Sequence, residues 1–383
     1  MAIPGQTKSV DSDIVIIGGG IIGLMTARAL AREGFGVTVL ERGRLGAQAS
    51  RAAGGILCPL YPWRLPDAMQ ALTAQAMASY PDVVRELERE SGLSIRTRLT
   101  GLILLDDSEF SLARDWAERW SIACESLSPN QLGAREPALG DKCGGLLFPE
   151  MRNVYAGELV DAAAESCRRH GVVIRESASV EDICLAGSGE VRVDTATDSL
   201  RPDRLVIAGG AWSSLLLERL GGQLAVRPVR GQILQYGRGS SRLAHMVLSG
   251  RKYLVPRPGG ELIIGSTLEE VGFDATTTAA GHQELKVAAE SILPELADQE
   301  VVSHWAGLRP GAPDHLPFIG LWREALAEGG CDVLLNTGHY QNGILLAPLS
   351  AELLTTAITA EPGPMNIAPF DPRRCQECKT PID

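Results

Sequence analysis

The first sharply patterned stretch is Asp13-Ile-Val-Ile-Ile17, a continuous apolar run of the kind found in strands buried on both faces. Helical spacing of apolar positions follows over 21–32, and a second apolar run, Gly36-Val-Thr-Val-Leu40, closes at Glu41. This is one βαβ unit in under thirty residues. Residues 66–91 read as a helix with Met69, Leu72, Met77, Val83 and Leu87 as its apolar positions, and 101–143 alternates short strands with polar helical segments. A helix over 159–170 (Val160, Ala163, Ala164 and Cys167) leads to a strand at 172–174. Leu205-Val-Ile-Ala208 is another buried strand, running directly into Gly209-Gly210. Residues 252–257 and 261–265 flank Pro258-Gly-Gly260 as a hairpin, 333–335 reads as a buried strand and 344–359 as a long apolar helix. Glycine doublets recur without a fixed period, so no solenoid or propeller is expected.

The order β-α-β, excursion, β, excursion, β-α predicts an α/β, Rossmann-like nucleotide-binding domain assembled from 12–90, 150–218 and 305–365. The intervening 91–149 and 219–304 would form an α+β second lobe with a mixed or antiparallel sheet, leaving 1–11 and 366–383 as tails. Composition narrows the partners. With 36 Lys+Arg against 47 Asp+Glu, the net charge of −11 over 383 residues argues against nucleic acid or an anionic membrane surface, while leaving room for a small anion held by one arginine. The start of the chain lacks a signal-peptide pattern, and 343–359 is interrupted by Pro348 and Glu352, so no membrane span and a cytoplasmic setting are expected. The eight cysteines are scattered, as reduced thiols would be. Cys375-Gln-Glu-Cys378 lacks the second pair of ligands that a zinc site needs, and no metal is expected.

Gly18-Gly-Gly20-Ile-Ile-Gly23 fits G-x-G-x-x-G between a strand and a helix. In that pattern Gly18 permits a tight turn, Gly20 lets the backbone approach a pyrophosphate and Gly23 lets helix and strand pack closely. The helix N-terminus then points its free N–H groups at the phosphates, and Glu41 stands where a carboxylate can bind ribose hydroxyls. NAD and FAD both satisfy this unit. The following run, RGRLGAQASRAAGGIL over 42–57, is rich in small residues that let a backbone lie against a flat, bulky ligand, which favours FAD.

IVIIGGGIIGL (14–24), SRAAGGIL (50–57), RLVIAGGAWS (204–213), HWAGLRPGAPDHLPFIG (304–320) and NTGHYQNGILLAP (336–348) together carry a resemblance. RPVRGQ (227–232) and KYLVPR (252–257) belong to it as well. In matching order over about 12–365, the chain resembles the D-amino-acid-oxidase-like FAD-dependent oxidoreductases, and among them the glycine oxidases of thiamine biosynthesis. The resemblance implies a glutathione-reductase-like FAD-binding domain with non-covalent FAD, since 339–345 contains no cysteine. It implies a cofactor site lined by the Gly18, Gly20 and Gly23 turn, by Ile21, Ile22, Glu41 and Arg42, and by Gln48, Ala49, Ser50, Ala53, Gly54 and Gly55. Val180 would touch the adenine side and Gly209 would join the wall, with the loop of His339, Tyr340, Gln341, Asn342, Gly343, Ile344 and Leu345 along the flavin ring. A helix beginning at 343–344 would direct its positive end toward charge on the reduced ring.

By the same resemblance Arg309 binds the substrate carboxylate through its planar fork, Tyr253 assists with its hydroxyl, and Gln341 borders the substrate. Many glycine oxidases carry Arg where this chain has Gln341, so glycine and a larger N-substituted glycine both stay open. Asn153-Val-Tyr-Ala-Gly157 also departs from the family pattern. The implied reaction is oxidative deamination of a small amino acid. Hydride leaves Cα for flavin N5, the imine hydrolyses to an oxo acid and ammonia or amine, and O2 is reduced to H2O2. Orientation carries this chemistry, so no acid–base residue is assigned, and His304 and His339 are read as packing or neighbouring groups. A dehydrogenase passing electrons to a quinone or carrier would share these motifs, an NAD enzyme only the first, and homo-oligomerisation is left open.

Overall fold

The computed structural model describes residues 13–140, 142–186, 189–325 and 330–376, without the side chains of 375 and 376. The Cys375/Cys378 pair therefore lies outside the described side chains.

Ile14–Ile17 is buried at all four positions and forms the middle of a six-stranded sheet. Val37–Leu40 and then Val173–Arg175 pair parallel on one side of it. On the other side come Arg204–Ile207 and Asp332–Thr337, also parallel, with Phe318–Arg323 antiparallel at the edge. Burial on both faces explains the unbroken apolar runs, each large side chain contributing about 1.5–3 kcal/mol. Helices Ile21–Arg32, Asp67–Ser91, Ala156–Arg169 and Gly343–Thr359 share one core cluster with these strands. In Asp67–Ser91 the fully inward positions are Met69, Leu72, Ala76, Tyr80, Val84 and Leu87. Met77 and Val83, expected to face inward, only flank the cluster, because the stripe advances by three and four residues through Ala76, Tyr80 and Val84 instead.

Helix Gly343–Thr359 contains Pro348, which has no N–H to give the Ile344 carbonyl four residues earlier. The Tyr80 hydroxyl donates to that carbonyl instead (3.0 Å), tying two helices together where the second one starts.

The second large sheet has eight strands, in the order Val301–Gly311, Arg227–Tyr236, Leu262–Gly265, Lys252–Pro256, Met246–Ser249, Leu102–Leu104, Gly145–Phe148 and Glu125–Leu127. All pairs are antiparallel except Met246–Ser249 with Leu102–Leu104. Val301–Gly311 pairs with Arg227–Tyr236 along its whole length, so the expected division at residue 305 cuts through a strand. A three-stranded antiparallel sheet at Val180–Leu185, Val191–Thr195 and Ser199–Leu200, and the helix Ala279–Ile292, complete the architecture. No helix among the described residues is long and apolar enough to cross a membrane.

Candidate active site

A cavity of about 390 Å³ lies between the C-terminal ends of the parallel strands and the inner face of the eight-stranded sheet. Its floor is the turn after Ile14–Ile17. Gly18 has φ +118°, and a side chain there would run into the Ala208 carbonyl on the neighbouring strand. A side chain on Gly23 would strike the Gly18 carbonyl, so this glycine serves helix packing and does not line the cavity. Leu345 is likewise no lining residue: it is buried in the helical core. The remaining expected cofactor positions all contribute to the wall.

At the N-terminus of Ile21–Arg32 the Ile21 amide donates to Ser50 Oγ (3.0 Å). Ser50 stands on a short helical turn, Ala49–Ala52, within the small-residue run. Glu41 accepts from the Gly19 amide (2.8 Å) and from the Gly43 amide (2.9 Å), which turns its carboxylate back over the glycine loop. The Arg42 guanidinium stacks 3.7 Å from the centre of the Trp212 ring, and Trp212 in turn lies 5.5 Å from Phe273. Sequence reasoning did not single out Trp212, whose role depends on a neighbour 170 positions earlier.

Arg309 is half-buried in the wall contributed by Val301–Gly311. Its Nη2 donates to Ser266 Oγ (2.6 Å) and its Nη1 to the Thr267 carbonyl (3.3 Å), and it has no carboxylate partner among the described residues. Behind it, Thr267 Oγ1 donates to Glu269 (2.5 Å), whose carboxylate is paired with Arg230. Tyr253 is buried, its ring lying across Gly54 and its cross-strand neighbour Gly265. Burial pushes its phenol up, against the pull of nearby Arg309, so the hydroxyl stays protonated and able to donate. Gln341 is exposed where it joins the cavity, Tyr340 half-buried and Asn342 buried.

Two further groups bear on the chemistry. Cys58 lines the cavity, but burial pushes its thiol up to about 12, which keeps it neutral and unreactive. His339 is buried, with neither ring nitrogen hydrogen-bonded, and burial pulls its pKa down to about 3. His304 does not line the cavity; it stands edge-on to His282 at 5.4 Å.

An orphaned imidazole in the wall and a glycine turn at the head of a helix that admits no Cβ fit a large ligand bearing both a phosphate bridge and polar ring edges. Fold and site together define a dinucleotide-binding protein whose cavity wall carries an arginine with no carboxylate partner among the described residues. The family model described as FAD dependent oxidoreductase matches residues 13–357, and the chain belongs to that family. FAD is accordingly its cofactor, and the residues present fit it. The chain is 38% identical to glycine oxidase from Pseudomonas aeruginosa over 94% of this chain and 98% of that one. It is 36% identical to glycine oxidase from Pseudomonas putida, covering 95% and 99%. Among solved structures, glycine oxidase from Geobacillus kaustophilus superposes with a TM-score of 0.88 at 30% identity, covering 95% and 99%.

Proposed function

We propose that the protein oxidatively deaminates glycine or a closely related small amino acid, in the cytoplasm and in thiamine biosynthesis, with O2 as electron acceptor. The single observation that carries this reading is Arg309, a guanidinium without a carboxylate partner among the described residues, facing a cavity that fits FAD. FAD, when bound, supplies a two-electron acceptor at the Cα of the substrate. The domain with the six-stranded sheet holds it through the glycine turn, Glu41, Arg42 and the loop before Gly343–Thr359, without a covalent bond. The eight-stranded sheet supplies the substrate side.

Arg309 holds the substrate carboxylate as a fork, and Ser266 and Thr267 keep that fork flat against the sheet. The Tyr253 hydroxyl donates a second contact to the same carboxylate. The lining carboxylate, Glu41, is engaged by two amides, and His339 is neutral and walled in, so the amine gives up its proton to solvent on binding. The residues therefore work by orienting the substrate and excluding water, and not by taking protons from it. The exposed position of Gln341 at the cavity wall leaves room for an N-substituent, which supports an N-substituted glycine as the second reading.

The test is anaerobic addition of glycine, sarcosine, iminodiacetate and D-alanine in turn to the purified yellow protein. Bleaching by one of them is expected, and readmitted air should restore the colour with release of H2O2. A yellow protein that none of the four bleaches would rule the reading out.

A further inference from the structure

Three arginines are buried among the described residues: Arg28, Arg230 and Arg257. Arg28 is paired with Glu86 and Glu90, and Arg230 with Glu269 and Asp274. Arg257, only 6% exposed, has no carboxylate within ion-pair distance among the described residues. Its partners are neutral. Nη2 donates to the Gly54 carbonyl (2.8 Å), and Nη1 to Asn153 Oδ1 (2.8 Å) and to the Val154 carbonyl (3.4 Å). Asn153 is itself fully buried and donates to Thr100 Oγ1 (3.0 Å). The Tyr155 ring is flanked by two guanidiniums, Arg257 at 4.4 Å and Arg96 at 3.8 Å. Asn153, Val154 and Tyr155 together build the seat of Arg257.

A buried charge without a counterion is costly, so a retained one marks a place where the charge is used. Burial pulls Arg257 down to about 10, and it stays a cation at neutral pH. Around it Arg98 and Arg96 carry the same charge, burial holds Tyr253 protonated, and the acidic neighbours are engaged elsewhere, Glu158 by Arg96 and Glu261 by Arg238. Arg257 stands directly behind Gly54 and Gly55, which line the cavity. The same turn is strapped down by Val154 N–H to the Gly55 carbonyl (2.8 Å) and by Leu57 N–H to the Arg152 carbonyl (2.9 Å).

We propose that Arg257 is a positioning residue that fixes the Gly54 carbonyl and leaves one uncompensated positive charge behind the cavity wall, favouring the electron-rich reduced form of FAD. The proposal rests on the FAD site described above. A two-electron-reduced flavin is anionic near neutral pH, and charge close to the ring tunes its electron affinity. Arg257 thus acts through the wall without touching substrate.

The experiment compares holoenzyme with R257Q and R257K by FAD content of folded protein and by the equilibrium of bound flavin with a reference redox dye. R257Q is expected to shift that equilibrium at least tenfold toward oxidised flavin, about 30 mV for a two-electron couple. R257K, which keeps the charge but not the fork, should stay within threefold of wild type. R257Q with FAD bound and an equilibrium within twofold of wild type overturns the proposal, and so does R257K shifted tenfold. If R257Q folds without retaining FAD, the lysine variant decides: FAD retained within threefold of wild type upholds the role of the charge, and loss of FAD overturns it. Wild-type protein without FAD would instead refute the site assignment on which the proposal rests.

Discussion

Gly231 lies diagonally across from Arg309 on the neighbouring antiparallel strand, and the guanidinium lies flat over its Cα. Its φ is not in the left-handed region, so alanine is compatible with the backbone and only the added methyl matters. That Cβ would fall 1.9 Å from Nη2, 2.1 Å from Nη1 and 2.2 Å from Cζ of Arg309. Restoring van der Waals contact near roughly 3.5 Å requires the guanidinium to move by about 1.5 Å. Such a shift breaks the 2.6 Å bond to Ser266 and misplaces both prongs of the fork. A hydrogen bond to a charged group is worth about 1.5–3 kcal/mol, so Gly231→Ala should raise KM for the amino acid about ten- to a hundred-fold. Steady-state kinetics and the spectral titration of bound flavin with a competitive carboxylate measure this directly. FAD content should not change, because Gly231 adjoins the arginine and not the glycine turn. Wild-type KM and carboxylate affinity in a folded, yellow G231A protein would refute the argument that an empty position holds the arginine in place.

Arg309→Ala should raise KM by at least about a hundred-fold, two charge-assisted bonds being lost, with FAD content unchanged on the absorbance ratio. Trp212→Ala removes the surface on which Arg42 stacks. A cation–π contact of about 0.5–2 kcal/mol predicts an FAD Kd raised about two- to thirty-fold, read by reconstitution of apoprotein with FAD. His339 is held neutral in the folded chain at a pKa of about 3, below its ordinary value, so the unfolded chain takes up the proton first as pH falls. The stability it contributes is complete above about pH 6.5 and declines toward pH 3 by at most about 1.4 kcal/mol per pH unit. Denaturant unfolding of His339→Asn apoprotein should show a correspondingly flatter acid limb than wild type, and identical limbs would contradict the burial argument.

What was legible in the sequence is what lies close together along it. The βαβ unit spans few residues, its strands are apolar on both faces, and its glycines stand at fixed offsets, so pattern alone exposes them. The strands Val180–Leu185 and Val191–Thr195 escaped notice because they are half-exposed and carry polar residues within a short meander. Arg309 and Tyr253 were accessible only through resemblance, since nothing in their local spacing distinguishes a substrate arginine from a surface one. The residues that shape their setting were not accessible at all. Gly231 and Gly265 look like any strand glycine until register brings the arginine and tyrosine across them. Ser266 and Trp212 act through partners 43 and 170 positions away. Arg257 reads as the end of a hairpin strand, and its contact with Gly54 closes a loop of 203 residues that no periodicity records.

The strand Val301–Gly311 meets several parts of the centre in turn. The Trp305 indole N–H donates to the Ala52 carbonyl (3.0 Å), Gly307 packs on Ala52, Arg309 faces the cavity, and Gly311 bridges to His339. Trp305, Gly307 and Arg309 are alternate residues on one face of the pleat, while Gly311 pairs with His339 through its backbone. Adding or deleting a single residue within it would turn Arg309 to the far face while the flanking contacts held their places. Side chains along this strand can therefore be exchanged, but their number cannot change without taking Arg309 out of the cavity wall: its reach from Gly307 is a fixed length of strand.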